Sequence, residues 1–333
     1  MKMNKEVHSP IVAIHCMVYN HEPYLRQCLD GFVMQQTNFP FIAIVHDDAS
    51  TDHSADIIRE YEQKYPTIIH PIYETENQYS KPGAIASIMM EASKDVKYIA
   101  FCEGDDYWTD TLKLQKQVDF LESHPDYVFC CHRFKIYEQD HNLYRKEYGY
   151  TLYKDEKDLE ITEEIFFKAW ITQPLTAMFR AVAYKTSMQK CIESYLSIRD
   201  NYLFYEMLQL GRGISLNQFM GIYRWHNGGV DTGTGRVRKS EINLGIFKNL
   251  YTKHTKDKNL LVQLEIAYNR FLLFHTPFKN DNFKLLKEAL LYSATVKLKL
   301  KMIFAYILPP QIGLCLHIIN IQLLRYKKMS IIK

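Results

Sequence analysis

Tyr98-Ile99-Ala100-Phe101-Cys102-Glu103-Gly104-Asp105-Asp106-Tyr107-Trp108 is the stretch on which the reading of the fold turns. Five apolar residues in a row, with no polar alternation, read as a strand buried on both faces. That strand runs straight into three carboxylates within four residues. A buried parallel strand that ends in chemistry-bearing side chains is the signature of an open α/β sheet, where ligands sit beyond the carboxyl ends of the strands.

The preceding residues repeat the pattern. Ile11-Val12-Ala13-Ile14 is a short buried strand followed by the polar segment Val18-Tyr19-Asn20-His21-Glu22. From Pro23 to Gln36, Leu25, Leu29, Phe32 and Val33 recur at helical spacing, and Pro23 suits a first helical turn. Phe41–Val45 is a second strand, ending in Asp47-Asp48-Ala49-Ser50-Thr51-Asp52 before another helical pattern through Ala55, Ile58 and Tyr61. Ile68–Tyr73 reads as a third strand, and Gly83–Ser93 as the helix leading to Tyr98. Alternating strands and helices predict a mostly parallel, Rossmann-like sheet flanked by helices. Farther on, Tyr127–Phe134 reads as a strand, Asp155–Glu164 as a charged surface connection, and 240–333 as largely helical, with Leu244, Phe247, Leu250 and Tyr251 on one stripe.

The chain has 333 residues, 47% of them apolar, enough for a large core and incompatible with a disordered chain. The formal charge of +3 conceals a split. From Phe283 onward there are nine Lys/Arg against one acid, Glu288, which leaves 32 basic and 37 acidic residues before it. An acidic body with a basic tail gives no general nucleic-acid-binding surface. The seven cysteines (16, 28, 102, 130, 131, 191 and 315) include no C-x-x-C pair and mostly lie in apolar runs, as buried thiols of a reducing compartment do. Met1–Pro10 is polar and charged, unlike a signal peptide, so catalysis is expected in the cytoplasm. Met302–Leu324 carries no formal charge, but Pro309-Pro310 splits it and four polar residues dilute it, which weakens a spanning reading.

Chemistry concentrates at the strand ends. Glu103, Asp105 and Asp106 repel one another unless a cation neutralises them, and hard oxygen ligands suit Mg²⁺ or Mn²⁺. The same carboxylates would also serve as an acidic helix start. Asp47 and Asp48 are placed to accept from a base N–H or a ribose hydroxyl, Tyr19 is placed to stack on that base, and Ser50–Asp52 read best as helix caps.

Ile11–Asn20, Glu22-Pro23-Tyr24-Leu25, His46–Asp52 and Tyr98–Asp106 together resemble the family-2 inverting glycosyltransferases with the nucleotide-sugar-binding GT-A fold. The resemblance runs in order over roughly residues 8–230. It implies a catalytic domain over 1–239, with a donor half at about 8–125 and an acceptor half at about 126–239, and a helical, basic extension over 240–333. It implies a nucleotide-sugar donor, most simply UDP-linked, with Asp48 holding uracil and Tyr19, Glu22, Asp47, Lys81 and Arg224 as further donor contacts. The family's D-x-D signature reads here as Glu103-x-Asp105 with Asp106 next, so one Asp is replaced by Glu, and His226 is a further metal candidate. Ile198-Arg199-Asp200-Asn201-Tyr202 looks like the segment carrying the base, which makes Asp200 the proton acceptor; capping of its own helix is the plain alternative. Gly221–Val230, with Arg224, His226 and Gly228-Gly229, looks like the segment that closes the donor site. Gln173 and Thr176 fall where the family builds its acceptor side. Ala86-Ser87-Ile88-Met89 departs from the Arg-Asn pair many relatives carry there.

The implied partners are a nucleotide sugar and a glycan or lipid-linked acceptor for a cell-surface polysaccharide, with a homo-oligomer open. A nucleotidyltransferase is the runner-up, although Val18–Glu22 lacks the glycines and lysine of a phosphate loop; a non-catalytic nucleotide-sugar-binding protein is the third reading. Lys297, Lys299 and Lys301 among apolar residues, and Leu323–Lys328 later, predict peripheral docking on the anionic inner leaflet of the membrane, against packing of the C-terminal helices on the catalytic domain or a second subunit.

Overall fold

The computed structural model describes residues 9–147, 149–153, 157–195, 198–229, 234–274, 280–293 and 296–307. The chain forms two compact units, Met1–Asn227 and Gly228–Lys333.

The first unit begins with β1 (Val12–Val18), α1 (Glu22–Val33), β2 (Phe41–Asp47), α2 (Ser54–Lys64), β3 (Ile69–Tyr73), α3 (Ala84–Ala92), β4 (Tyr98–Phe101) and a short β5 (Tyr107–Trp108). Then come α4 (Lys113–Ser123), β6 (Tyr127–Glu138), β7 (Leu143–Lys146), β8 (Leu159–Ile161), α5 (Glu163–Lys168), β9 (Met178–Arg180), α6 (Ala181–Ser194), α7 (Asp200–Leu208) and β10 (Arg212–Trp225). Among the described residues the strands form one ten-stranded sheet whose main path is β3-β2-β1-β4-β9-β6-β10-β5, with β7 on β6 and β8 on β10. Strands β3, β2, β1 and β4 are mutually parallel, with Val12 opposite Phe41 on one side and Tyr98 on the other. The chain travels outward from β1 to β3 and then returns to the other side of β1 for β4. That reversal is the topological switch point, so the crevice between the β1 and β4 ends is where a ligand belongs.

Successive side chains of β1 divide between the two helical layers. Val12, Ile14, Cys16 and Val18 join Leu25, Cys28, Leu29 and Phe32 of α1 in one fully buried core. Each large apolar side chain so buried contributes about 2 kcal/mol. His15 points to the opposite layer, where Nε2 lies 2.9 Å from Ser93 Oγ. Pro23 occupies the first turn of α1, where its missing N–H costs nothing.

The second half departs from the expected pattern in two places. The charged stretch 155–164 is more than a surface connection: Leu159–Ile161 is β8, paired antiparallel with Gly213–Ser215, and Thr162 Oγ1 caps α5 by accepting the Ile165 N–H. Its apolar residues alternate with charged ones, as an edge strand permits. Strand β6 also continues past Phe134 to Glu138, because Lys135–Glu138 pairs with β7 on one side and β10 on the other.

In the second unit, α8 (Arg236–Lys253), α9 (Lys258–Phe274), α10 (Asn280–Tyr292) and α11 (Val296–Ile307) enclose a separate apolar core that includes Leu244, Leu264, Tyr268, Phe271 and Met302. Phe247 and Tyr251 of the expected stripe pack against it. Helix α8 runs across the expected boundary at 239. No described helix is long and apolar enough to cross a membrane. Of the segment Met302–Leu324 only Met302–Ile307 is described; Leu323–Lys328, Cys315 and Val230 lie outside the described residues.

Candidate active site

The turn after β1 and the turn after β2 are stitched together by their own side chains. Ser50 Oγ accepts the Asn20 N–H, and Asn20 Oδ1 accepts the Thr51 N–H at 2.8 Å. Asp52 takes the Glu22 and Ser54 N–H groups, Ser54 Oγ takes that of His21, and Glu22 Oε2 takes that of His53 at 3.1 Å. Ser50, Thr51 and Asp52 are expected as helix caps, but the N-cap of α2 is His53, which has no side-chain cap, and the three residues bond to the turn after β1 instead. Asn20 and Ala49 hold positive φ angles of 56° and 59°, the tight backbone this crossing requires.

Asp48 follows directly. Its N–H reaches Val18 O at 2.9 Å, extending the β1–β2 ladder, and its buried carboxylate accepts the N–H of Gln78 at 2.6 Å and of Tyr79 at 3.1 Å. Asp47 is equally buried, and its Oδ1 takes no hydrogen bond from the described residues. Tyr19 is half-exposed at the same edge. Lys81 lies on the loop that Asp48 holds and pairs with Glu76 at 2.6 Å on the exposed surface.

The acidic turn crosses the mouth of the switch point. Cys102 N–H donates to His15 O and Gly104 N–H to Met17 O, so the turn hangs from β1, while Asp106 N–H closes on Glu103 O. Each of Glu103, Asp105 and Asp106 brings a carboxylate oxygen within 4.8 Å of the other two. Gly104 is tightly confined: a Cβ there would stand 2.7 Å from His21 Nδ1 and 3.0 Å from Val18 Cγ2.

Two imidazoles face Asp105. His226 Nε2 lies 3.1 Å and His21 Nε2 3.8 Å from its Oδ2. Burial of Asp105 opposes its ionisation, but the hydrogen bond to His226 and the charges of His21 and His226 outweigh it, so its pKa falls below the ordinary value. Its neighbours move the other way. Asp106 is raised well above the carboxylate range by burial and by Asp105, against a 2.8 Å hydrogen bond from the Arg224 backbone N–H. Glu103 is pushed up to about 8 by the protein crowding it, then by the negative charges of Asp105 and Asp200. Glu103 is half-buried and Asp200 is exposed to solvent. Three clustered carboxylates, two of them driven toward the protonated form, are a set short of positive charge. Hard oxygen donors in that condition fit a divalent cation.

Asp200 is the first residue of α7, after Arg199 at the N-cap. Desolvation raises its pKa while Arg199 pulls it down, and its charge in turn raises the pKa of Glu103 in the acidic turn.

Glu22 and Arg224 are the two expected donor contacts to which the geometry gives another task. Glu22 ties the two turns together, as described. Arg224 is buried and turned inward because alternation along β10 sends it toward α1: Nε donates to Asp105 O at 2.8 Å, the terminal nitrogens to Gln27 at 2.6 Å and to Gln139, and the guanidinium lies over the rings of Tyr24, Tyr107 and Tyr137. It clamps the acidic turn from behind. His226, two residues on, packs its ring 4.5 Å from that of Tyr24. His21, Gln27 and Gln139 escaped the sequence reading; the only local signal for His21 was its place in the polar segment after β1.

Residues 14–185 match the family described as glycosyl transferase family 2, more than half of the chain. The chain belongs to that family. An uncharacterized protein of Mycobacterium tuberculosis, Rv1520, is 43% identical over 131 residues, 39% of this chain and 36% of that protein. The chain thus matches about a third of the length of this relative. The putative teichuronic acid biosynthesis glycosyltransferase TuaG of Bacillus subtilis is 32% identical over 34% of this chain and 42% of its own length. The Escherichia coli protein WfaP, named UDP-Glc:alpha-D-GlcNAc-diphosphoundecaprenol beta-1,3-glucosyltransferase, is 25% identical over 70% of this chain and 85% of that one. S. aureus TarS 1–349, solved in complex with UDP-GlcNAc, superposes with a TM-score of 0.59 at 16% identity, covering 88% of this chain and 79% of that one, a likeness of fold. Family membership and this likeness agree with the GT-A reading of the sheet.

Proposed function

We propose that this family-2 chain is an inverting, metal-dependent glycosyltransferase that moves a sugar from a UDP-linked donor to a glycan or lipid-linked acceptor in cell-surface polysaccharide synthesis. The observation that carries the reading is the convergence of Glu103, Asp105 and Asp106 within 4.8 Å, with the charge of Asp200 acting on Glu103 from α7. The donor half supplies Tyr19, Asp47, Asp48 and Lys81 around the nucleotide. Glu103, Asp105 and Asp106, with His226 beside them, would hold Mn²⁺ or Mg²⁺, which would supply Lewis-acid neutralisation of a diphosphate leaving group. Asp200 takes the proton from the acceptor hydroxyl as that oxygen attacks the anomeric carbon from the face opposite the diphosphate. Its raised pKa makes it a stronger base than an ordinary carboxylate. In-line attack inverts the anomeric configuration.

The names of TuaG and WfaP support a cell-envelope polymer, and that of WfaP supports a lipid-linked acceptor. A lipid-linked acceptor lies at a membrane surface, where the basic C-terminal region would dock peripherally, on the cytoplasmic face in this reading. The test is incubation with Mn²⁺, a panel of nucleotide sugars and soluble or lipid-linked acceptors, with release of nucleoside diphosphate as the readout. Acceptor-dependent release from a UDP-sugar is expected. No release from any donor with any acceptor overturns the assignment.

A further inference from the structure

Helix α11 has two apolar faces where a helix packed on a single core needs one. Met302, Ala305 and Tyr306 are buried in the core of the second unit. On the opposite side Val296, Leu300, Phe304 and Ile307 remain 74%, 60%, 67% and 52% exposed. At 100° per residue these four span about 80° of arc, with Lys297 and Lys301 on one flank and Lys299 on the other. All three lysines are exposed. Helix α10 adds a shorter version: Phe283, Lys287 and Leu291 recur at i, i+4 and i+8, all exposed, with Lys287 Nζ 4.7 Å from the Phe283 ring centroid.

We infer that this lysine-flanked stripe of α11 is the surface by which the protein docks on an anionic lipid bilayer. The inference rests on the membrane-side reading above and gives it a specific face. An apolar stripe buries itself at the acyl boundary while flanking lysines extend their heads to the lipid phosphates. The occupant follows from charge: after Glu288 the sequence holds no acidic residue and seven basic ones. A second copy of the chain, docked face to face on this stripe, would set lysines against lysines, which disfavours it. A polyanionic surface with an apolar interior matches both features at once.

Full-length protein is sedimented with vesicles of phosphatidylcholine alone or mixed with phosphatidylglycerol, at low and high salt. Binding to the anionic vesicles alone, released by salt, is expected. Lys297→Gln/Lys299→Gln/Lys301→Gln weakens that binding about a hundredfold, from the contribution of each lysine near a charged surface. Leu300→Ser/Phe304→Ser abolishes it, and because both side chains are exposed the fold is retained. Both variants keep wild-type release of UDP with a water-soluble acceptor. Equal wild-type binding to neutral and anionic vesicles, or variants that bind as wild type does, overturns the docking surface. So does conversion of a dimer to a monomer by Leu300→Ser/Phe304→Ser with vesicle binding intact, which assigns the face to a second copy. Turnover without vesicle binding overturns this surface alone; vesicle binding without turnover on any donor overturns the transferase reading alone.

Discussion

His226 Nε2 stands 3.1 Å from Asp105 Oδ2, joining the residue that follows the last sheet strand to the centre of the acidic turn. The contact lowers the pKa of a carboxylate whose neighbours Glu103 and Asp106 are both raised. His226→Ala removes the hydrogen bond and part of the bias that keeps Asp105 ionised. The Kd for Mn²⁺, measured by titration calorimetry, should rise at least tenfold, as for other residues that orient metal ligands. An unchanged Kd would separate His226 from the metal site.

Gly104→Ala tests the packing of the turn itself. Its φ is not positive, so the obstacle is space: the new methyl group meets His21 Nδ1 and Val18 Cγ2. Overpacking of this kind costs about 1–3 kcal/mol, and the displaced turn moves both flanking carboxylates. Denaturant melts should show that loss, with more than a tenfold fall in Mn²⁺-dependent turnover. Wild-type turnover would mean that the turn yields without consequence.

Asp200→Asn keeps the shape of the side chain and removes the base. Acceptor-dependent turnover should fall by about 10²–10⁴-fold, the range for loss of a positioned general base, while UDP binding holds. Because the base acts ionised and its pKa lies above the ordinary value, wild-type kcat should decline toward acid pH earlier than an unshifted Asp would dictate. Full turnover in the variant would remove Asp200 from the chemistry.

Buried basic groups contribute to the pH dependence of stability. Burial, then Lys185, holds His15 down to about 3, and burial, then Lys113, does the same for His132. Both are neutral when folded and protonate near 6.5 when unfolded, so their contribution is complete above about pH 6.5 and is lost as pH falls toward 3. Each should tilt the unfolding free energy by about 1.4 kcal/mol per pH unit in that window. Lys113, whose buried amine lies 3.7 Å above the Trp108 ring centroid and donates no hydrogen bond to the described residues, is lowered to about 7 by desolvation. Its contribution is therefore complete above about pH 10.5 and is lost as pH falls from there to about 7. Lys113→Met should flatten the stability curve between pH 7 and 10 in denaturant melts, whereas an unchanged slope would show that the amine does not titrate there.

The parallel half of the fold was legible because Ile11–Ile14, Phe41–Val45 and Tyr98–Phe101 are apolar runs too short for helices, each ending in polar residues. The acidic turn was legible for the same reason. Strand β9 was not: Met178–Arg180 is too short to show a period, yet it slots antiparallel between β4 and β6 and so joins the two halves of the sheet. Strand β8 lay hidden in a charged stretch because only two of its residues are apolar. Among candidate site residues, Asp48 and Asp105 stood out by type and position at strand ends, and Asp200 only through the family resemblance. His21 and the inward turn of Arg224 did not, since each depends on partners distant in sequence that only the folded sheet brings near.

The stitched turns after β1 and β2 restrict how such a chain can vary. Asn20, Glu22, Ser50, Asp52 and Ser54 each answer a backbone group of the opposite turn, so neither segment has a self-sufficient conformation to contribute to a hybrid. A chimaera that imports one turn from a relative strands the amides of the other, whereas importing both transplants a closed set. The two segments, about thirty residues apart in sequence, behave as one inherited cassette, and donor preference would be exchanged between relatives only when both move together.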